Sequence, residues 1–177
     1  MKKNIGLLFF LFFSIVFICC SPQPNKNKSD EEKTAIDINQ EKQEVSQVLD
    51  NLAAATESGN FKVIEEIWLH SDDVLLVGTE SDEKLLGWDE ISSAIKKQFS
   101  TFEETLISIT DQDIWLNDDA TMAWFYEELN YNFVFEEKAM TFKGIRFTGI
   151  MKKENAKWHL MQQHLSIPAQ LEMTEMK

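Results

Sequence analysis

The chain has 177 residues, with seventeen Lys and Arg against thirty Asp and Glu, a formal net charge of -13. So acidic a chain lacks the basic footprint of a nucleic-acid binder and is repelled by an anionic membrane surface. Its two cysteines are Cys19 and Cys20, so nothing after them can supply a disulfide, a thiolate metal site or a cysteine nucleophile.

Residues 1–20 read as an export signal. Lys2 and Lys3 form a basic start, and Ile5 to Ile18 is almost wholly apolar. That run has the length of a signal core and is short for a spanning helix. It ends at Cys19-Cys20-Ser21 and resembles a bacterial lipoprotein signal, in which a cysteine becomes the lipidated first residue. Cys20, preceded by the small Cys19, is the lipidation candidate. Phe17 and Ile18 are bulkier than usual there, and the alternative is an uncleaved N-terminal anchor. Either way the domain is expected outside the cytoplasm, on a membrane tether in the bacterial cell envelope. Residues 21–40, rich in Pro, Asn, Ser and alternating charge, read as a flexible linker. Residues 41–168 remain for one domain with a single core, and residues 169–177 as a loose tail.

Within the domain, Val45, Val48, Leu49 and Leu52 follow helical spacing, which predicts a helix over Glu41 to Glu57. Ser58-Gly59-Asn60 stops it. Phe61 to Leu69 predicts a second helix and Val74 to Gly78 a short strand. A polar loop over Gly78 to Lys84 follows, with Leu85-Leu86-Gly87 leading out. Trp88 to Phe99 predicts a third helix, with Asp89 and Glu90 in the first turn where negative charge suits the dipole. The remainder alternates as strands: Glu104 to Asp111, a short piece at Ile114 to Leu116, and Thr121 to Phe135. A hairpin over Phe142 to Ser166 with a long polar loop completes them. Helices first and strands later predict an α+β domain, its twisted sheet curling around the helices to leave a cavity.

Alternation also predicts faces. With the last turn centred near Glu154, Ile150 faces Trp158, Thr148 faces Leu160 and Arg146 faces Gln162. Arg146, Gln162, His164 and Ser166 then share a wall above Trp158 and Leu160. Arg146 is the only arginine of the chain; its rigid fork of donors suits an anionic group, and the plain alternative is a surface arginine beside a carboxylate. His164 is the candidate acid or base, against a histidine satisfied by a neighbour. For Thr121 to Phe135 two registers stand. Either Trp124, Tyr126 and Glu128 face inward, or Phe125 and Glu127 do.

The order of elements resembles the SnoaL-like branch of the nuclear transport factor 2 superfamily. The residues that carry the resemblance are Ser58-Gly59-Asn60, Val77-Gly78-Thr79, Gly87-Trp88-Asp89-Glu90-Ile91, Asn117-Asp118-Asp119-Ala120 before Ala123-Trp124, Arg146-Phe147-Thr148-Gly149, and Trp158-His159-Leu160 with His164-Leu165-Ser166. It spans Val45 to Pro168. It implies an NTF2-like cone, three N-terminal helices packed in a curved antiparallel sheet that often dimerises through its outer face, and a pocket adapted in some relatives for isomerases, cyclases and dehydratases.

A ketosteroid-isomerase type of site needs a carboxylate and a tyrosine donor. Tyr126 and Tyr131 are the only tyrosines and point to opposite faces, so at most one enters the pocket. The three histidines, His70, His159 and His164, match no metal spacing, and no metal or cofactor is called for. The leading expectation is a tethered domain binding a small organic ligand, anionic or flat and apolar, through Arg146, His164, Gln162, Trp68, Trp88, Trp124 and Tyr126. The alternatives are a cofactor-independent isomerase, cyclase or lyase with His164 and Arg146 as catalytic residues, and a structural envelope lipoprotein that docks a partner.

Overall fold

The computed structural model describes residues 36–169. The expected signal, most of the linker and nearly all of the tail lie outside the described residues. Helix α1 runs Ile38–Glu57 because Asp37 caps it, its carboxylate accepting from Asn39 N and Gln40 N at 3.0 and 3.2 Å. The helix therefore starts before the expected linker end at residue 40. The apolar spacing that predicted it begins only at Val45, and the cap at Asp37 lies about two turns upstream. Helix α2 is Phe61–Ile67. Strands β1 (Leu75–Val77) and β2 (Lys84–Leu86) form a small hairpin, and helix α3 spans Trp88–Thr101. Leu85-Leu86 is thus a strand where a loop exit was expected.

Four long strands follow: β3 (Glu103–Leu116), β4 (Met122–Phe135), β5 (Lys138–Glu154) and β6 (Lys157–Ser166). The expected two pieces of β3 are one strand interrupted by a bulge at Thr110. The sheet has the order β2-β1-β6-β5-β4-β3, antiparallel except where β1 meets β6. This is the α+β cone that the sequence predicts. The apolar stripe of α1, Val45, Leu49, Leu52 and Ala55, is buried against it with Ile64 and Ile67 of α2. α1 also shields the free edge of β3, where Glu57 accepts from Ile107 N at 2.6 Å.

Four irregularities bend the sheet. Two are in β3, one between Glu103 and Leu106 and one at Thr110. In β5 the extra residue falls beside Gly144, whose φ of +66° suits glycine. The fourth is Met161 of β6, left unpaired between the pairs Ile150–Gln162 and Met151–Leu160.

The last turn differs from expectation. It is the two-residue loop Asn155-Ala156, both at positive φ, closed by Glu154 opposite Lys157. The polar residues read as a long loop instead extend both strands. Lys153 is turned onto α1, 2.5 Å from Glu41 and 3.3 Å from Glu44, and the Trp158 indole donates to Glu41 at 3.0 Å. A polar string can therefore be strand when a helix supplies its partners.

Candidate functional site

Face assignment follows from the register. In β4 the row Ala123, Phe125, Glu127, Leu129 and Phe133 is buried, while Trp124 is 46% exposed. The register with Phe125 and Glu127 inward is the one adopted. The expected placement of Trp124 and Tyr126 in the pocket is corrected: both lie on the convex face, opposite Ile150 and Thr148. The signal was present in the sequence. The inward row is apolar except for Glu127 and Tyr131, whereas the other row carries Glu128, Asn130 and Asn132.

In β5 the buried row is Ile145, Phe147 and Met151, so Arg146 points outward. It pairs with Ser166 across β6, and its Nη2 donates to Ile167 O at 3.1 Å. Thr148 stands opposite His164, and Ile150 opposite Gln162. Arg146, Gln162, His164 and Ser166 thus do share a wall, on the convex side. The cause is the bulge at Met161. One extra residue inverts the alternation, so Trp158 and Leu160 stay in the core while Gln162 and His164 turn out. Gln163 and Leu165 take their place within.

Trp88 is half-buried and packs in an aromatic cluster with Phe61, Trp68 and His70, away from the cavity lining. Of the residues expected to bind ligand, Trp68 alone lines the cavity.

That cavity, about 100 Å³, lies between the three helices and the concave face. Its walls are largely apolar: Leu49 and Leu52 of α1, Ile64 of α2, Ile95 and Phe99 of α3, and Leu129, Phe147 and Leu165 of the sheet. Among the described residues no lysine, arginine or histidine lines it. Its polar groups are few. Tyr131 accepts a hydrogen bond from Gln98 Nε2 at 2.8 Å, which ties α3 to β4 across the cavity. Burial pushes the Tyr131 hydroxyl above its usual range. Gln163 and Thr56 complete the set, the Thr56 hydroxyl donating to Leu52 O at 2.8 Å.

Glu127 is the unusual member. It is 2% exposed, and a buried carboxylate is costly unless paired or protonated. Its protein partner is an amide: Gln112 Nε2 donates to Oε1 at 2.6 Å. Burial pushes the carboxyl up from 4.5 to about 7, the Gln112 bond opposes this, and the charge of Asp50 on α1 adds to it. Near neutral pH the group is therefore divided between acid and base. Glu127 and Tyr131 stand four residues apart on one strand, roughly 13 Å along it, with Leu129 between. They bracket the cavity rather than form an adjacent pair.

The sequence matches the model of the SnoaL-like domain over residues 45–170. Among solved structures, a nuclear transport factor 2 superfamily protein from Salmonella enterica serovar Typhimurium LT2 superposes with a TM-score of 0.69 at 14% identity, over 78% of this chain and 99% of that one. A protein of the NTF2-like family from Streptomyces avermitilis, provisionally named a dehydratase, gives 0.66 at 15% identity, over 75% and 99%. A protein from Novosphingobium aromaticivorans, provisionally named a scytalone dehydratase, gives 0.66 at 9% identity, over 74% and 86%. At such identities the likeness shows the fold alone. No curated protein matches the sequence.

Proposed function

The chain belongs to the SnoaL-like domain family, and on that premise we propose that its cone binds a small, uncharged, largely apolar organic molecule. The observation that carries this reading is Glu127, a buried carboxyl on the wall of a cavity that no cationic side chain lines among the described residues. An anion there meets a like charge and no compensating one, so the anionic ligand that rested on Arg146 is not part of this reading. A hydroxyl or N–H group meets an acceptor in the ionised Glu127, and a carbonyl meets a donor in the protonated one. At about 100 Å³ the cavity is smaller than the apolar cavity of about 150 Å³ that holds benzene, so a single small ring is the upper limit and enters only as the lining yields. Phenol and benzoate are suitable probes. By ligand-observed NMR at pH 7.5, phenol binds and benzoate does not, and Glu127→Leu weakens phenol binding about tenfold, the worth of a hydrogen bond to a charged group. Benzoate binding as well as phenol, or phenol binding unaffected by that substitution, would overturn the reading.

The same carboxyl supports a second reading, acid–base turnover. A carboxyl that titrates near 7 is matched to proton transfer at neutral pH. His164 and Arg146, the catalytic residues first expected, lie on the other face of the sheet, so such chemistry would use Glu127. The convex face supports a role in self-association. Trp115 and Trp124 stand opposite each other across β3 and β4, 42% and 46% exposed, with Leu106 exposed further along β3. Exposed apolar surface of this kind fits a second copy of the chain. Export and lipid attachment at Cys20 complete the proposal, with the domain held in the cell envelope. Incorporation of a labelled fatty acid, abolished by Cys20→Ser, is the test of that part.

A further inference from the structure

Glu127 is held through a chain of two hydrogen bonds that starts on α1. Ser46 Oγ donates to Gln112 Oε1 at 2.7 Å, and Gln112 Nε2 donates to Glu127 Oε1 at 2.6 Å. Ser46 and Gln112 also line a groove on the outside of the cone, between α1 and β3, with Lys42, Gln43 and Trp115. The wall between that groove and the inner cavity is thus one amide thick at Glu127.

An amide has one accepting end and one donating end. While Ser46 donates to the carbonyl end, the NH2 end must face Glu127, and Oε1 can only accept. When Glu127 is protonated, its proton must then sit on Oε2. Among the described residues Oε2 has no protein partner, yet it is not one of the sealed polar atoms, which are Trp68 Nε1 and His159 Nδ1. Glu127 lines the cavity, and Oε2 is the carboxyl oxygen that Gln112 does not engage.

We propose that Ser46 and Gln112 are positioning residues that keep the exchangeable proton of Glu127 on Oε2, so that the cavity takes neutral alcohols, phenols or carbonyl compounds at that one atom. This rests on the reading of Glu127 as the ligand-facing group. Were the amide reversed, its carbonyl would take the Glu127 proton at Oε1, its NH2 would turn to Ser46, and the ligand would lose that donor. The hydroxyl of Ser46 selects between the two orientations. The charged group that α1 brings near Glu127 is Asp50, and the titratable neighbour on its own inward row is Tyr131.

The test is a carbon-detected NMR titration of the Glu127 carboxyl in the full chain, assigned by its loss in Glu127→Gln. Gln112→Leu removes the donor at constant shape and raises the midpoint by about one pH unit. Ser46→Ala raises it by less, and Ser46→Thr restores it, which a purely packing role would not do. Amide spectra confirm that each variant is folded, and Gln112→Met serves if the leucine variant is not. A midpoint unmoved by Gln112→Leu overturns the proposal, as does Ser46→Ala without effect. The phenol experiment separates the two failures. Phenol bound normally beside an unmoved midpoint removes the positioning role alone, and a moved midpoint with no phenol binding removes the ligand reading alone.

Discussion

The two faces of the sheet draw on the same strands and obey different physics. The concave face is shut against three helices, and each group on it needs a partner or a void shaped for it. The convex face carries Arg146, His164, Gln162, Trp115 and Trp124, with water available to any group left unpaired. Adjacent residues of one strand therefore live under opposite rules. Glu127 titrates near neutral because it is buried, whereas Glu128 beside it stands opposite Arg146 on the convex side. Position along the chain says little about a residue here; the side of the sheet says most of it.

That contrast can be broken most violently at Gly149. A Cβ there would lie 2.3 Å from Gln162 O and 2.6 Å from the Phe125 ring. Gly149→Val is expected to cost about 3 kcal/mol or more by overpacking, seen as a lowered midpoint in urea unfolding. Loss below about 1 kcal/mol would mean that the concave layer yields more easily than its packing implies.

The next effect is electrostatic. Glu127 has a folded value above its ordinary one, so the native state holds the extra proton between about pH 4.5 and 7. Stability therefore falls as pH rises through that window and is lowest above it. The difference is of order 2–3 kcal/mol between pH 4 and 8 from this group. Glu127→Gln keeps an acceptor for Gln112 and abolishes the charge. It is expected to leave stability unchanged near pH 4 and to raise it at pH 8 by most of that amount. Equal stability of the two proteins at pH 8 would show that the carboxylate is solvated.

The smallest effects belong to the convex side. Arg146→Ala and Trp124→Glu are each expected to change stability by less than about 0.5 kcal/mol, as surface substitutions do. Neither should alter phenol binding. Trp124→Glu should instead change the sedimentation of the protein from that of a pair to that of a single copy, and an unchanged sedimentation coefficient would remove the self-association reading.

Much of the fold was legible in the sequence. The stripe Val45, Leu49 and Leu52 marks α1 by its period, Gly87-Trp88-Asp89-Glu90 marks the start of α3, and Asn117-Asp118-Asp119 marks a turn in which Asn117 Oδ1 accepts from Thr121 N and Met122 N at 2.9 Å each. Such signals are local, and local propensity is written residue by residue. The candidate site was legible only in part. Alternation placed Arg146 opposite Gln162 on the cavity wall, whereas in the structure Arg146 stands opposite Ser166 and His164 opposite Thr148, on the convex face. It could not give the side, because the loop length was misread and because one unpaired residue, Met161, inverts the parity of half a strand.

By itself, then, the sequence determined most of the elements, their order and the family, since periodicity, turn chemistry and composition are properties of neighbours in the chain. For β4 the apolar row hinted at the inner face, but tertiary structure decided the side taken by Arg146 and His164, through the unpaired Met161. A bulge is a compromise between two strands and the helices packed on them. The titration of Glu127 depends first on its burial and then on Gln112 and Asp50, all of them products of folding.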